Sequence, residues 1–154
     1  MAQTNNILPL LRELVRCYQV IEKYSSSHVR WMGLTPSQFD IIATLGDTPG
    51  MTFRELGGKT LITKGTVTGV VDRLEGKRLV KRVAVPQDGR CSVVMLTRAG
   101  EREFKRVFLP HVDHMGKAFG KIKAAELDAL RVKLRELRGV LDSSAGPTTQ
   151  SEQA

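Results

Sequence analysis

The sequence predicts a mainly α-helical protein with one small β-hairpin. Three observations carry the prediction. Apolar residues recur at three- and four-residue spacings at both ends of the chain, as they do on one face of a helix. Threonines stand where helix starts are needed, two of them with a Gln or Glu three residues on. β-Branched residues suited to strands gather in one short stretch, and only 5% of the residues are aromatic, which is thin for a β-sandwich. With 154 residues, 41% of them hydrophobic and 26% charged, the chain is long enough for one well-buried core.

Ile7, Leu11, Leu14, Tyr18 and Ile21 form a narrow stripe on a first helix over about residues 7–31, as at a helix–helix seam. Thr35-Pro36-Ser37-Gln38 is the next helix start, with Thr as N-cap and Pro in the first turn. Phe39, Ile42, Ala43 and Leu45 follow as its core face, and Gly46-Asp47-Thr48-Pro49-Gly50 closes it as a turn. Thr52-Phe53-Arg54-Glu55 is a second capping box, opening a short helix to about Lys59. Thr63 is placed to cap a third helix to about Gly76. Val67, Val70, Val71 and Leu74 are its apolar face, and Gly65, Thr66, Thr68, Gly69, Asp72 and Arg73 lie opposite. Two short helices joined by a tight turn make a helix-turn-helix.

Leu79–Val85 and Cys91–Leu96 read as two strands around the turn Pro86-Gln87-Asp88-Gly89-Arg90, a hairpin placed as a wing would be. Thr97 caps a helix to about Ile122, with Pro110 predicting a kink. Leu127, Leu130, Leu134, Leu137 and Leu141 repeat at 3, 4, 3, 4, a strict seam over two heptads. Ser143 to Ala154 has no large apolar side chain and reads as a disordered tail.

The formal net charge is +8, and residues 52–98 hold ten basic residues against four acids. Most of the excess therefore sits on the helix-turn-helix and hairpin, which points to a polyanionic partner, nucleic acid above all. Two cysteines are too few for a disulfide scaffold and fit a reducing compartment. The opening residues carry no secretory signal, and no apolar run nears the ~18–20 residues a bilayer span needs, so a soluble, cytoplasmic protein with no membrane partner is expected. Gly57-Gly58-Lys59-Thr60 is no phosphate-binding loop, because Phe53 occupies the place of the first glycine and no strand precedes it. The spacings of a nucleophile elbow, a carboxylate pair or a Cys/His triad are missing, so no enzymatic activity and no cofactor are expected.

The segment Asp72-Arg73-Leu74-Glu75-Gly76-Lys77-Arg78-Leu79-Val80-Lys81-Arg82, then Asp88-Gly89-Arg90, then Leu96-Thr97-Arg98-Ala99-Gly100, resembles the MarR family of winged-helix regulators. The resemblance covers roughly residues 7–142, and the combined pattern is specific though each piece is weak. It implies a homodimer held by the terminal helices, which binds palindromic double-stranded operator DNA and is often released by a small anionic ligand or an oxidant. One departure is Arg78, where the family usually has glycine. Either Gly76 or a strained Arg78 must end the preceding helix.

The resulting expectation is a winged helix-turn-helix lobe, residues 35–97, on an α-helical dimerisation stalk, residues 1–34 and 98–142, with residues 143–154 as tail. Major-groove reading needs short polar side chains near a helix N-terminus, which Gly65, Thr66, Thr68 and Gly69 provide. Lys64, Arg54 and Arg73 are assigned to phosphates. Arg90 is assigned to the minor groove, as the resemblance implies, and Asp88 to pinning Arg73 or Arg90. Tyr24, His28 and Trp31 are candidates to line a cleft for a small aromatic or anionic effector, with core packing explaining them equally well. Cys17 is expected to be a buried small hydrophobe rather than a thiol sensor. Relatives that sense peroxide carry their cysteine one turn earlier, where this chain has Glu13. His111 and His114, with Asp113 beside them, have the spacing of two metal ligands, but two histidines without a matched third group read as surface residues, so no metal is assigned. The overall expectation is a sequence-specific repressor. An architectural DNA-binding protein with little sequence preference, or a winged-helix interaction adaptor, are the alternatives.

Overall fold

The computed structural model describes residues 4–61, 64–86 and 88–144, without the side chains of residues 4, 5, 64, 65 and 88–90. The chain divides into two compact units, residues 1–115 and 116–154.

In the first unit, α1 (Thr4–Trp31) leads into α2 (Pro36–Leu45), β1 (Met51–Thr52), α3 (Phe53–Lys59), α4 (Lys64–Gly76), β2 (Val80–Val85), β3 (Asp88–Leu96) and most of α5 (Arg98–Phe119). Both predicted capping boxes form. The amide of Gln38 donates to the Thr35 hydroxyl at 3.2 Å, and the Thr35 amide donates back to the Gln38 side chain at 3.1 Å. At Thr52 the backbone amide and the hydroxyl donate to Glu55 at 2.8 and 2.9 Å and hold its carboxyl below the usual range. Thr63, the expected cap of α4, lies outside the described residues.

Ile41, Ile42 and Leu45 of α2, Leu56 of α3, and Val67, Val70, Val71 and Leu74 of α4 are buried in one cluster with Val80, Val94 and Leu96 of the sheet and Phe104 and Val107 of α5. Each such side chain contributes roughly 1.5–3 kcal/mol, more than an exposed ion pair, so this cluster rather than surface charge fixes α4 against α2 and α3. The apolar face predicted for α4 is the one that is buried.

The sheet is antiparallel with strand order β1-β3-β2. The sequence reading has only the hairpin. β1 is two residues long, and its partners, Val93 and Val94, come some forty positions later, so no local pattern announces it. The turn is also tighter than expected. Asp88, Gly89 and Arg90 belong to β3, because the register slips between Ala84 and Val85 and lets Val85 pair with Asp88.

α4 ends as its sequence leaves open. Arg78, not Gly76, takes the left-handed conformation, with φ 59°. The amide of Leu79 donates to the Leu74 carbonyl (2.9 Å) and that of Arg78 to the Glu75 carbonyl (2.8 Å), the paired bonds of a Schellman cap. The end of α1 repeats these bonds with Gly33 in the same role, at φ 88°. Thr97 then ties the hairpin to α5. Its hydroxyl donates to the Arg78 carbonyl at 2.7 Å and accepts from the Gly100 amide at 3.0 Å. Gly100 is required there, since a Cβ would lie 1.9 Å from the Leu79 carbonyl oxygen. The threonine and glycine of the Leu96–Gly100 segment thus have a structural explanation.

Three expectations are corrected. Cys17 is exposed, because α1 from residue 6 to 23 is exposed apart from half-buried Leu14. His111 is buried, 7% exposed, instead of lying on the surface, because its ring packs on Phe39 of α2. α5 stops at Phe119 rather than near Ile122, with Gly120 following, and Pro110 lies inside it without interrupting the helix.

In the second unit, α6 (Ala124–Ser144) has no buried residue. It extends two residues into the expected tail, where Ser143 and Ser144 donate to the carbonyls of Gly139 and Val140 at 2.7 and 2.8 Å. Residues 145–154 lie outside the described residues. Among the described residues no helix is long and apolar enough to cross a membrane.

Candidate nucleic-acid interface

With Val67, Val70, Val71 and Leu74 turned inward, α4 presents Thr66, Thr68, Asp72 and Arg73 to solvent. Phe53, Arg54, Gly57, Val67 and Thr68 line a cleft of about 220 Å³ between α3 and α4, which brings Arg54 and Thr68 together. Arg73 is exposed and lies along its own helix, its Nε donating to the Gly69 carbonyl at 3.0 Å. Lys64 and Gly65 open α4, and Asp88 and Arg90 sit on β3. Their side chains lie outside the described residues. Lys77, Arg78 and Lys81, where α4 passes into the wing, are also exposed.

One organising residue escapes the sequence reading. Arg82 of β2 reaches back to α4, where its guanidinium donates to Glu75 at 2.6 Å and to Asp72. Its backbone amide also donates to Glu75, at 3.3 Å, and its guanidinium lies 5.4 Å from the centre of the Phe53 ring of α3. The hydrogen bond that the guanidinium donates to Asp72, together with the Glu75 charge, raises the pKa of Arg82 above its ordinary value. One arginine therefore ties the wing to both helices of the helix-turn-helix and neutralises two acids on the solvent side of α4. The charge pattern held a clue, since Asp72, Glu75 and Arg82 stand out in the segment, but the pairing needs the hairpin to fold back.

The effector candidates separate. Tyr24 and His28, with Val20, Lys23, Ser27 and His114, line an open, mostly apolar cleft of about 400 Å³ between α1 and α5. Tyr24 stacks on His114 at 4.2 Å, and its hydroxyl donates to the His114 carbonyl at 3.0 Å. Trp31 does not line the cleft. It is 81% exposed and meets only the outer part of the group, 5.7 Å from the His28 ring. His111 and His114 form no metal centre with Asp113, and among the described residues no three His, Cys, Asp or Glu side chains are grouped to hold an ion.

A helix-turn-helix braced on a three-stranded sheet, with basic residues spread over α3, α4 and the wing, defines a winged-helix DNA-binding lobe. Residues 32–90, which carry that lobe as far as Arg90, match the model of the MarR family. The match covers the winged-helix lobe, and the chain is similar over most of its length to transcriptional regulators. It is 28% identical over 137 residues to the HTH-type transcriptional regulator MhqR of Bacillus subtilis, covering 87% of this chain and 92% of that one. Among solved structures it is similar to Bordetella bronchiseptica BpsR, whose DNA binding is regulated by 6-hydroxynicotinic acid. That likeness has a TM-score of 0.74 and 26% identity over 84% of this chain and 98% of the other. It is also similar to a mutant MarR from E. coli complexed with operator DNA, with a TM-score of 0.76 and 25% identity over 86% and 96% of the two chains.

Proposed function

We propose that the protein is a homodimeric, sequence-specific repressor released from operator DNA by a small aromatic or anionic effector. The observation that carries the reading is the two-sidedness of α4, whose apolar side closes the core while Thr66 and Thr68 face outward among exposed cations. Short side chains beside Gly65 and Gly69 let the helix approach base edges in the major groove. Arg54, Lys64 and Arg73 hold phosphates, and Arg90 enters the minor groove, with Asp88 pinning Arg73 or Arg90.

The dimer reading is supported by apolar residues left uncovered in the single chain. Ile7, Leu11 and Tyr18 of α1 are 48, 46 and 68% exposed, and Leu130 and Leu134 of α6 are 53 and 43% exposed. Stripes of this kind mark surfaces that bury against a partner. The effector reading rests on Tyr24 and His28 in their cleft, with Trp31 at its margin. It is supported by the likeness to BpsR, whose DNA binding responds to an aromatic acid. A ligand there changes the separation of two lobes, and so their fit to two half-sites.

Footprinting on the promoter nearest its own gene, with a panel of aromatic acids, tests this. Two protected half-sites about one helical turn apart, lost with one acid, support the reading. Binding that unrelated DNA competes away equally well points instead to an architectural protein. Absence of salt-sensitive DNA binding points to an interaction adaptor.

A further inference from the structure

The chain has three histidines, at positions 28, 111 and 114, and all three meet in one stack. His28 of α1 and His111 of α5 face each other through like atoms, Nδ1 to Nδ1, at 3.1 Å. The second nitrogen of His111, Nε2, lies 3.1 Å from the hydroxyl of Ser25 on α1. His114 lies flat on His28, with ring centres 4.0 Å apart and planes within 7°. Nε2 of His114 is buried without a hydrogen-bond partner. From the lobe side, Phe39 of α2 sets its ring against His111 at 4.5 Å, edge to face.

Two Nδ1 atoms can bond only if one carries a proton and the other does not. The pair accommodates one proton between them, and a proton on each turns the bond into a clash of two N–H groups. The stacked His114 adds a third imidazole whose charge is unfavourable beside the other two. α1 supplies Lys23 and the phenol of Tyr24, and α5 supplies the other histidine, with Asp113 next along it and exposed. α2 supplies the Phe39 ring, while the carboxylate of neighbouring Asp40 accepts from the Leu61 amide at 2.7 Å. Burial, then the charges of His28 and His114, push the His111 pKa below its ordinary value.

We propose that the three histidines form a proton switch between α1–α5 and the DNA-binding lobe. Neutral, they hold α1, α5 and α2 together through the His28–His111 bond, the ring stack and Phe39. Protonated, they lose the bond and repel, which releases α2 and with it α4, packed on the same core. DNA affinity then falls as the medium becomes acid, opposite to the gain that added positive charge alone would bring. The switch rests on the DNA-binding reading for its output, but the histidine coupling does not.

The test has two arms on the full chain. Proton NMR of the imidazole C–H resonances of the wild type, followed from pH 8 to 5, reads the coupling without DNA. The expected result is that His111 titrates below about 6.5, its curve displaced by burial and by the charges of its two neighbours. Three independent curves centred near 6.5 would overturn the proposal. In the second arm, affinity for promoter DNA is measured at pH 8.0 and 5.5 for wild type and His111→Gln, whose amide is polar but does not titrate. The wild type is expected to lose about tenfold per proton taken up and per pH unit, and the variant several-fold less. An equal loss in both, or no loss in the wild type, would overturn the switch. Wild type that fails to bind DNA even at pH 8.0 would strike the DNA reading instead, leaving the NMR arm to decide the coupling.

Discussion

The guanidinium of Arg82, on the first long strand of the wing, is held 2.6 Å from the carboxylate of Glu75 on α4, and the same group also reaches Asp72 one turn earlier. The contact fixes the wing relative to α4, the helix proposed to read DNA. It also masks two negative charges that would otherwise oppose phosphate.

Arg82→Ala is therefore expected to act twice. The bridge is partly solvated, with the arginine side chain 31% exposed and Glu75 39%, so its loss should cost only roughly 1 kcal/mol of stability, measurable by urea unfolding. DNA affinity should fall further than that figure implies, because Asp72 and Glu75 are left uncompensated. Stability and DNA affinity both unchanged would show that the bridge orders nothing.

Arg78→Gly is expected to stabilise the protein. A non-glycine residue at φ 59° carries strain that glycine does not, and the cap bonds run through the backbone and survive the change. The gain should be about 1 kcal/mol, or a rise of about 2–4 °C in Tm by calorimetry. A lower Tm would mean that the arginine side chain contributes more than the strain costs.

Leu134→Asp combined with Leu137→Asp should convert a dimer to monomers. Each carboxylate in an apolar seam costs at least a few kcal/mol without a partner, and operator binding should be lost with the second lobe. Sedimentation that still shows a dimer would mean that α6 is not in the interface.

Arg90→Ala should weaken operator binding by ~1–3 kcal/mol, most strongly where the flanking minor groove is A·T-rich. Thr68→Ala should instead change the preference at a base pair inside each half-site. Binding of both variants to operators altered separately in flank and core separates the two roles. Equal loss for Arg90→Ala on A·T and G·C flanks would reduce the arginine to a phosphate contact.

What was legible in the sequence was local. The starts of α2 and α3 are written in threonine and its partner three residues on, and both reciprocal bonds form. The inward face of α4 follows from valine and leucine at helical phase. What was missed needs the chain to return on itself. Met51–Thr52 becomes a strand only beside Val93 and Val94, and Arg82 becomes a brace only when the hairpin folds against α4. The histidines behave likewise. Read along the chain, His111 and His114 are a pair on one helix, and His28 is grouped with Tyr24 and Trp31 on another. Only the approach of α1 to α5 makes them one group. The end of α4 lay between these cases. The motif located it, but the choice between Gly76 and Arg78 depended on which carbonyls the Arg78 and Leu79 amides could reach.

The basic lobe is expected to bind DNA largely by neutralising phosphates. The most direct measurement is the affinity for promoter DNA as a function of salt concentration. With ~6–10 phosphate contacts per dimer, log affinity should fall steeply and linearly with log salt, by ~10³–10⁵-fold between 50 and 200 mM. An affinity that stays flat over that range would contradict the account and remove DNA as the principal partner.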